Sequence, residues 1–241
     1  MGTMKKVLIL GVVVIGMLPF SLWAKKFQKT QYFNVKVLGI NVGFARLRTG
    51  YPQPCPKPQG LVKKEKCVLY EYSVNLNKMQ MIGGAMRILS KAYVIQHEWI
   101  PHYIVTKYDI AGKKTMTSLF YNYKQNQVIL QDLKKKITKK IVMPPNAHSL
   151  ATLPIYYGRS KHPKLSGFVM GDTSFQKFQV RIREEKKKGT LLRRVFQKGS
   201  EYIRVKSGTD DIQYVRLLPI KVFGMQLGNI DAERVVKQKK K

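Results

Sequence analysis

Beyond residue 24 the chain alternates apolar and polar positions with a period of two, and Gly, Pro, Asn and Lys interrupt the alternation at short intervals, which predicts many short strands. Phe33, Val35 and Val37 alternate with Tyr32, Asn34 and Lys36. After a turn at Gly39-Ile40-Asn41, a second run places Val42 and Phe44 and then Arg46 and Arg48, so the two runs read as a hairpin. Phe178, Val180 and Ile182 face one way while Gln179, Arg181 and Arg183 face the other. The same division sets Ile203 and Val205 against Tyr202, Arg204 and Lys206, and Val215 and Leu217 against Tyr214 and Arg216. An antiparallel sheet with one packed face and one cationic, solvated face accounts for the pattern. Cations facing each other across neighbouring strands repel unless they are offset or covered by a polyanion, which makes the basic face a candidate for function.

One stretch departs from the strand pattern. Residues 146–157 read as a short helix, with Asn146 or Ser149 as cap, Leu150, Leu153 and Tyr157 on one face, and Pro154 limiting its length. Met79, Met81 and Met86, around Gly83-Gly84, read as core filling. Three lysine clusters punctuate the chain: Lys134, Lys135, Lys136, Lys139 and Lys140; then Lys186 to Lys188; then a basic tail at 237–241. Like-charge blocks are usually solvated loops. The first, however, lies between Val128-Ile129-Leu130 and Ile141-Val142-Met143, which predicts a hairpin tip or strand face fixed by the fold.

Composition sharpens the picture. Lys and Arg number 45 against 13 Asp and Glu, a formal net charge of +32, yet 44% of residues are hydrophobic, enough for a packed core with the charge on its surface. Residues 1–24 carry only Lys5 and Lys6 of that charge and read as a signal peptide: a basic start, an apolar stretch from Val7 to Trp23, and a cleavage site at Leu22-Trp23-Ala24. The alternative is an uncleaved anchor, although a span usually needs about 20 apolar residues. On this reading the protein is exported to the periplasm or cell envelope, or secreted, and 25–236 form a single β-rich domain. Cys55 and Cys67 flank a turn-rich segment and pair as a structural disulfide in an oxidising compartment. A redox or metal pair would call for a CxxC spacing and a nearby His.

Catalysis needs a constellation of groups, and the sequence offers none. His97, His102, His148 and His162 are scattered, with no HExxH, no GxSxG and no phosphate-cradling glycine loop. Glu184-Glu185 and Asp210-Asp211 read as turn or surface residues. The expectation is a protein that is not an enzyme and needs no cofactor or metal. A nucleic-acid platform at Phe120-Tyr121-Asn122-Tyr123-Lys124 fits the pI of about 10.2 but conflicts with export.

Three segments together resemble a bacterial family of exported proteins catalogued as domain of unknown function 3108. Residues 32–45 resemble its opening strand, glycine turn and second strand; 149–159 its short helix ending in an aromatic pair and an arginine; and 217–222 its late strand entered through Leu-Pro. The resemblance implies an antiparallel β-roll or half-open barrel with one short helix, and it supplies no catalytic residues. The lysine content and the Cys55–Cys67 loop set this chain apart from an ordinary member. The function expected is binding of an anionic envelope ligand (lipopolysaccharide, anionic lipid or acidic polymer) through the basic sheet face, with peripheral contact to a membrane. Lys134, Lys135, Lys136, Lys139, Lys140, Arg181, Arg183, Arg204 and Lys206 are the expected contacts. The alternatives are a lipid or lipoprotein-type carrier with an apolar cavity, and an assembly component bound to an envelope protein partner.

Overall fold

The computed structural model describes residues 27–56, 65–77, 85–170, 174–222 and 225–235, with backbone alone for 217–222 and 225–229. The segment expected to be a signal peptide, the basic tail, and Met79 and Met81 lie outside the described residues. The chain is mainly β, as the period-two pattern predicts, although the expected run 178–183 is divided between two strands of different sheets; it begins with β1 (Phe27–Val37), β2 (Ile40–Pro54), β3 (Lys66–Leu76), β4 (Met86–Ile95), β5 (Pro101–Ile110), β6 (Lys113–Asn122), β7 (Gln127–Asp132) and β8 (Ile137–Val142). A connecting segment follows, with β9 (Ala147–Ser149), helix α1 (Leu153–Arg159), β10 (Ser166–Met170) and β11 (Phe175–Gln179). The chain then returns through β12 (Arg181–Lys187), β13 (Thr190–Gln197), β14 (Ser200–Lys206), β15 (Ile212–Val222) and β16 (Met225–Arg234).

Thirteen of these strands make one antiparallel sheet in the order β12-β13-β14-β15-β16-β1-β2-β3-β4-β5-β6-β7-β8. The first of these strands pairs with the last, Val35 opposite Ala232, so β1 and β16 meet mid-sheet and the edges are β8 and β12. The sheet is not closed, and the fold is mainly β with one short helix, as a roll or half-open barrel requires. A second sheet, β11-β10-β9, belongs to the segment that carries the chain from one edge to the other. Cys55 and Cys67 form a disulfide, with Ile95 buried against them. No helix among the described residues is long and apolar enough to cross a membrane.

The inner face of the large sheet carries the core: Phe33, Val35, Leu47, Tyr70, Val195, Ile203 and Val205 are all buried in one cluster. Helix α1 belongs to the same cluster. Every residue from Leu153 to Gly158 is buried, so the helix is apolar all round, as expected of one enclosed by a core. Its start differs from the expected one. The cap position is Thr152, not Asn146 or Ser149, because Ala147–Ser149 is a strand paired in parallel with β10. Pro154 sits in the first turn, where its missing N–H leaves no bond unmade, so it opens the helix instead of ending it. At the far end Arg193, which β13 points inward, donates to the carbonyls of Tyr157 at 3.1 Å and Ser160 at 2.6 Å, placing a cation on the carbonyl end of the helix. Gly158 is where helix and sheet touch: a Cβ there would overlap the Thr209 carbonyl oxygen.

Two local readings shift for stereochemical reasons. The β1–β2 turn is Leu38-Gly39, both at positive φ, the geometry of a tight hairpin, and it precedes the expected Gly39–Asn41. A register irregularity beyond it breaks the alternation of β2, so Val42 is buried whereas Phe44 is exposed on the side of Arg46 and Arg48.

Candidate functional site

Arg46 lies opposite Ser73, Ser73 opposite Leu89, Leu89 opposite Lys107, and Lys107 opposite Met116, which makes one row across β2 to β6 on the outer face. A second row runs Arg48, Glu71, Lys91, and a third Asn75, Arg87, Asp109, Lys114. These rows line an open groove of about 820 Å³, which Leu133 and Lys134 complete. Its walls hold Arg46, Arg48, Arg87, Lys91, Lys107, Lys114 and Lys134 against only Glu71 and Asp109. Glu71 is tied to Arg48 by an ion pair and stands opposite Lys91; Asp109 stands between Arg87 and Lys114. Each carboxylate spaces two cations, which relieves part of their repulsion and leaves the groove with a positive excess.

The expected contact residues divide into two groups. Lys134, Lys135 and Lys136 occupy the β7–β8 turn, and Lys139 and Lys140 are exposed on edge strand β8. Arg181 and Arg183 are exposed on β12, the opposite edge, and Arg204 and Lys206 lie two strands inward on β14. The nine residues are therefore not one patch; of them only Lys134 lines the groove. Lysine and arginine on both edges also discourage edge-to-edge pairing with another sheet. Arg204 is committed within the fold. It donates to Glu201, which also accepts from Arg194 at 2.9 Å. Burial raises the Glu201 carboxyl, but the hydrogen bonds and charges of Arg204 and Arg194 outweigh it and hold the group below its ordinary value. Arg183 lies 5.2 Å from the centre of the Phe196 ring.

The groove cations other than Lys134 were not among the expected contacts, because no strand contributes more than two of them. Only the register gathers them, and the visible signal was a cation at alternate positions in β2, where Arg46 and Arg48 share a face. The run from Phe120 to Asn122 is buried, so Phe120 and Tyr121 are core residues and offer no surface for base stacking.

Behind the groove, on the inner face of the same strands, lies a cavity of about 440 Å³ bounded by β1 to β4, β14 to β16 and the chain entering α1. Phe33, Ala45, Leu47, Val74, Leu76, Ile88, Pro154, Ile212, Val215, Ile230 and Ala232 are among its lining.

A buried ion network closes off the region where β1 begins. Asp210, 3% exposed, accepts from Lys29 at 3.3 Å and from the Thr49 hydroxyl at 3.0 Å, and pairs with Arg159 of α1 at 3.4 Å. Gln31 donates to the Asp210 carbonyl at 2.8 Å and accepts from the Ile212 N–H and from Arg234, both at 3.0 Å. Burial raises the Asp210 carboxyl, but Lys29, Arg159 and Thr49 outweigh it and hold it below 3.8. Asp210 was expected as a turn or surface residue. It does sit in a turn, but that turn folds under the helix, so the residue fastens β1, β2 and α1 together. His148 is likewise buried, and burial, followed by the charge of Lys164, lowers it to about 4. His102 bonds the Pro56 carbonyl at 3.0 Å, and among the described residues no three His, Cys, Asp or Glu side chains gather as a metal ion would require. No family model matches this chain, and neither does a curated protein or a solved structure.

Proposed function

We propose that the protein is a non-enzymatic component of the bacterial cell envelope, exported to the periplasm or beyond it, that binds an anionic envelope ligand through the outer-face groove of β2 to β7. The ligand class is a lipopolysaccharide phosphate, an anionic lipid headgroup or an acidic polymer. The observation that carries the reading is the groove itself: seven cationic side chains and two carboxylates, held in register by five neighbouring strand pairs. A cation near an anionic surface contributes on the order of 1 kcal/mol, and the sum falls as salt screens it. The disulfide supports an oxidising compartment, and the resemblance to the exported family of domain of unknown function 3108 belongs to the same proposal.

The test is co-sedimentation with phosphatidylglycerol vesicles, phosphatidylcholine vesicles and lipopolysaccharide across a salt series. Binding to the anionic targets that is lost by roughly 0.5 M salt supports the reading. Equal binding to neutral vesicles, or none to any target at low salt, contradicts it.

A further inference from the structure

The outer groove is polar and open, whereas the inner cavity behind β2, β3 and β4 is lined mainly by apolar side chains, with Arg46, Tyr72, Ser90, Tyr202 and Arg216 as its polar members. The hydroxyl of Tyr72 is spent on the Ala151 carbonyl, and that of Ser90 on Thr106 at 3.0 Å. Arg216 is held by Asp231 at 3.0 Å, and the apolar side chains that make up most of the wall suit an unbranched hydrocarbon. The cavity volume of about 440 Å³ is within the range of small-molecule sites.

We propose that this cavity binds the acyl chain of a lipid-like amphiphile, which enters at the hairpin-tip end of the sheet. The cavity lining leads toward that end. Val35 lies opposite Gly43, Gly43 opposite Leu76, Leu76 opposite Met86, and Met86 opposite Ile110, and this inner row ends on an isoleucine that is exposed beside the β5–β6 turn. The β1–β2 tip, at the same end of the sheet, presents Leu38 at 76% and Ile40 at 69% exposure. The other end is occupied by the Asp210 network, so an apolar path to the cavity runs from the tips. Lys113, opposite Ile110, begins β6 immediately after the β5–β6 turn and suits an anionic headgroup left at the mouth. The proposal does not rest on the groove reading: Arg46, Val74 and Ile88 border both spaces, but the groove's other cations do not line the cavity.

The experiment uses cis-parinaric acid, a fatty acid that fluoresces when its chain enters an apolar site, with the purified disulfide-bonded protein. Saturable binding of one equivalent is expected, together with a melting temperature that rises with probe concentration. Displacement by palmitate identifies free fatty acid as the source of the chain, and displacement by phosphatidylglycerol vesicles identifies membrane lipid; displacement by neither overturns the proposal. Ala45→Phe and Ala232→Phe, which fill the cavity from β2 and β16, should weaken probe binding by roughly tenfold or more because the new ring takes the ligand's place. Should either variant fail to fold, Ala151→Leu, on the segment before α1, fills the same space without altering the sheet. Charge reversal in the groove (Arg87→Glu with Lys107→Glu) should leave parinarate binding unchanged, so failure of one site is distinguishable from failure of the other. A folded wild-type protein that does not bind the probe, or folded cavity-filling variants that bind it as well as wild type, would overturn the assignment.

Discussion

His148 on β9 is 3% exposed, with its ring centre 4.3 Å from that of Tyr156 and 6.5 Å from that of Phe178, and its Nδ1 has no hydrogen-bond partner among the described residues. Burial and the nearby charge of Lys164 depress its pKa from 6.5 to about 4. Between those values an unfolded chain takes up a proton that the folded chain refuses, so the linked stability is intact above pH 6.5 and is lost as pH falls toward the folded value. Each pH unit in the window is worth about 1.4 kcal/mol, which gives about 2 kcal/mol lost at pH 5 and about 3 kcal/mol over the whole interval. The perturbation is His148→Phe, which keeps an aromatic ring in the site and removes the titration. Urea unfolding of both proteins at intervals from pH 7 to pH 4.5 reports the difference in slope. Contributions from other groups are common to the two proteins and cancel. Wild type should lose about 2 kcal/mol more than the variant on going from pH 7 to pH 5. Parallel stability curves would refute the argument, since they would mean that His148 is protonated as easily in the folded protein as in the unfolded chain.

Other substitutions probe the joints of the fold. Asp210→Asn leaves Arg159 without its charge partner and Lys29 with Asp211 alone, and should destabilise by about 3 kcal/mol in chemical denaturation; because the carboxyl is held below 3.8, wild type keeps this advantage above that pH and loses it as pH falls through the folded value. Gly158→Ala drives a methyl into the Thr209 carbonyl and toward the Val205 side chain and should cost about 2–3 kcal/mol, read as a lower urea midpoint. Arg193→Met removes the donor to the Tyr157 and Ser160 carbonyls and should cost about 2 kcal/mol, with an earlier loss of tyrosine near-ultraviolet circular dichroism than wild type.

Much of the strand content was legible because one face of the sheet is packed and the other wet, so Phe33, Val35, Ile203, Val205 and Val215 announce their side by alternation. The disulfide was legible from compartment and loop chemistry. Harder to read were features that depend on pairing between distant strands. Nothing local in Arg87, Lys91 or Lys107 indicates that they converge, because the register of three hairpins brings them together. Asp210 looks like an ordinary turn residue until Lys29, 181 positions away, is placed beside it. Val42 and Phe44 take opposite environments because of a break in register that hydropathy does not record, and Pro154 has opposite meanings at the start and in the middle of a helix.

The central claim, that the outer-face groove is the anion-binding surface, is tested most directly by comparing vesicle binding by two variants matched in charge change. One reverses Arg87 and Lys107 to Glu within the groove; the other reverses Lys139 and Lys140 to Glu on edge strand β8, outside it. At low salt on phosphatidylglycerol vesicles, the groove variant should lose most of its binding, by roughly tenfold or more, while the edge variant loses much less. Equal loss in both would mean that net charge alone governs attachment and that the groove has no special part in it.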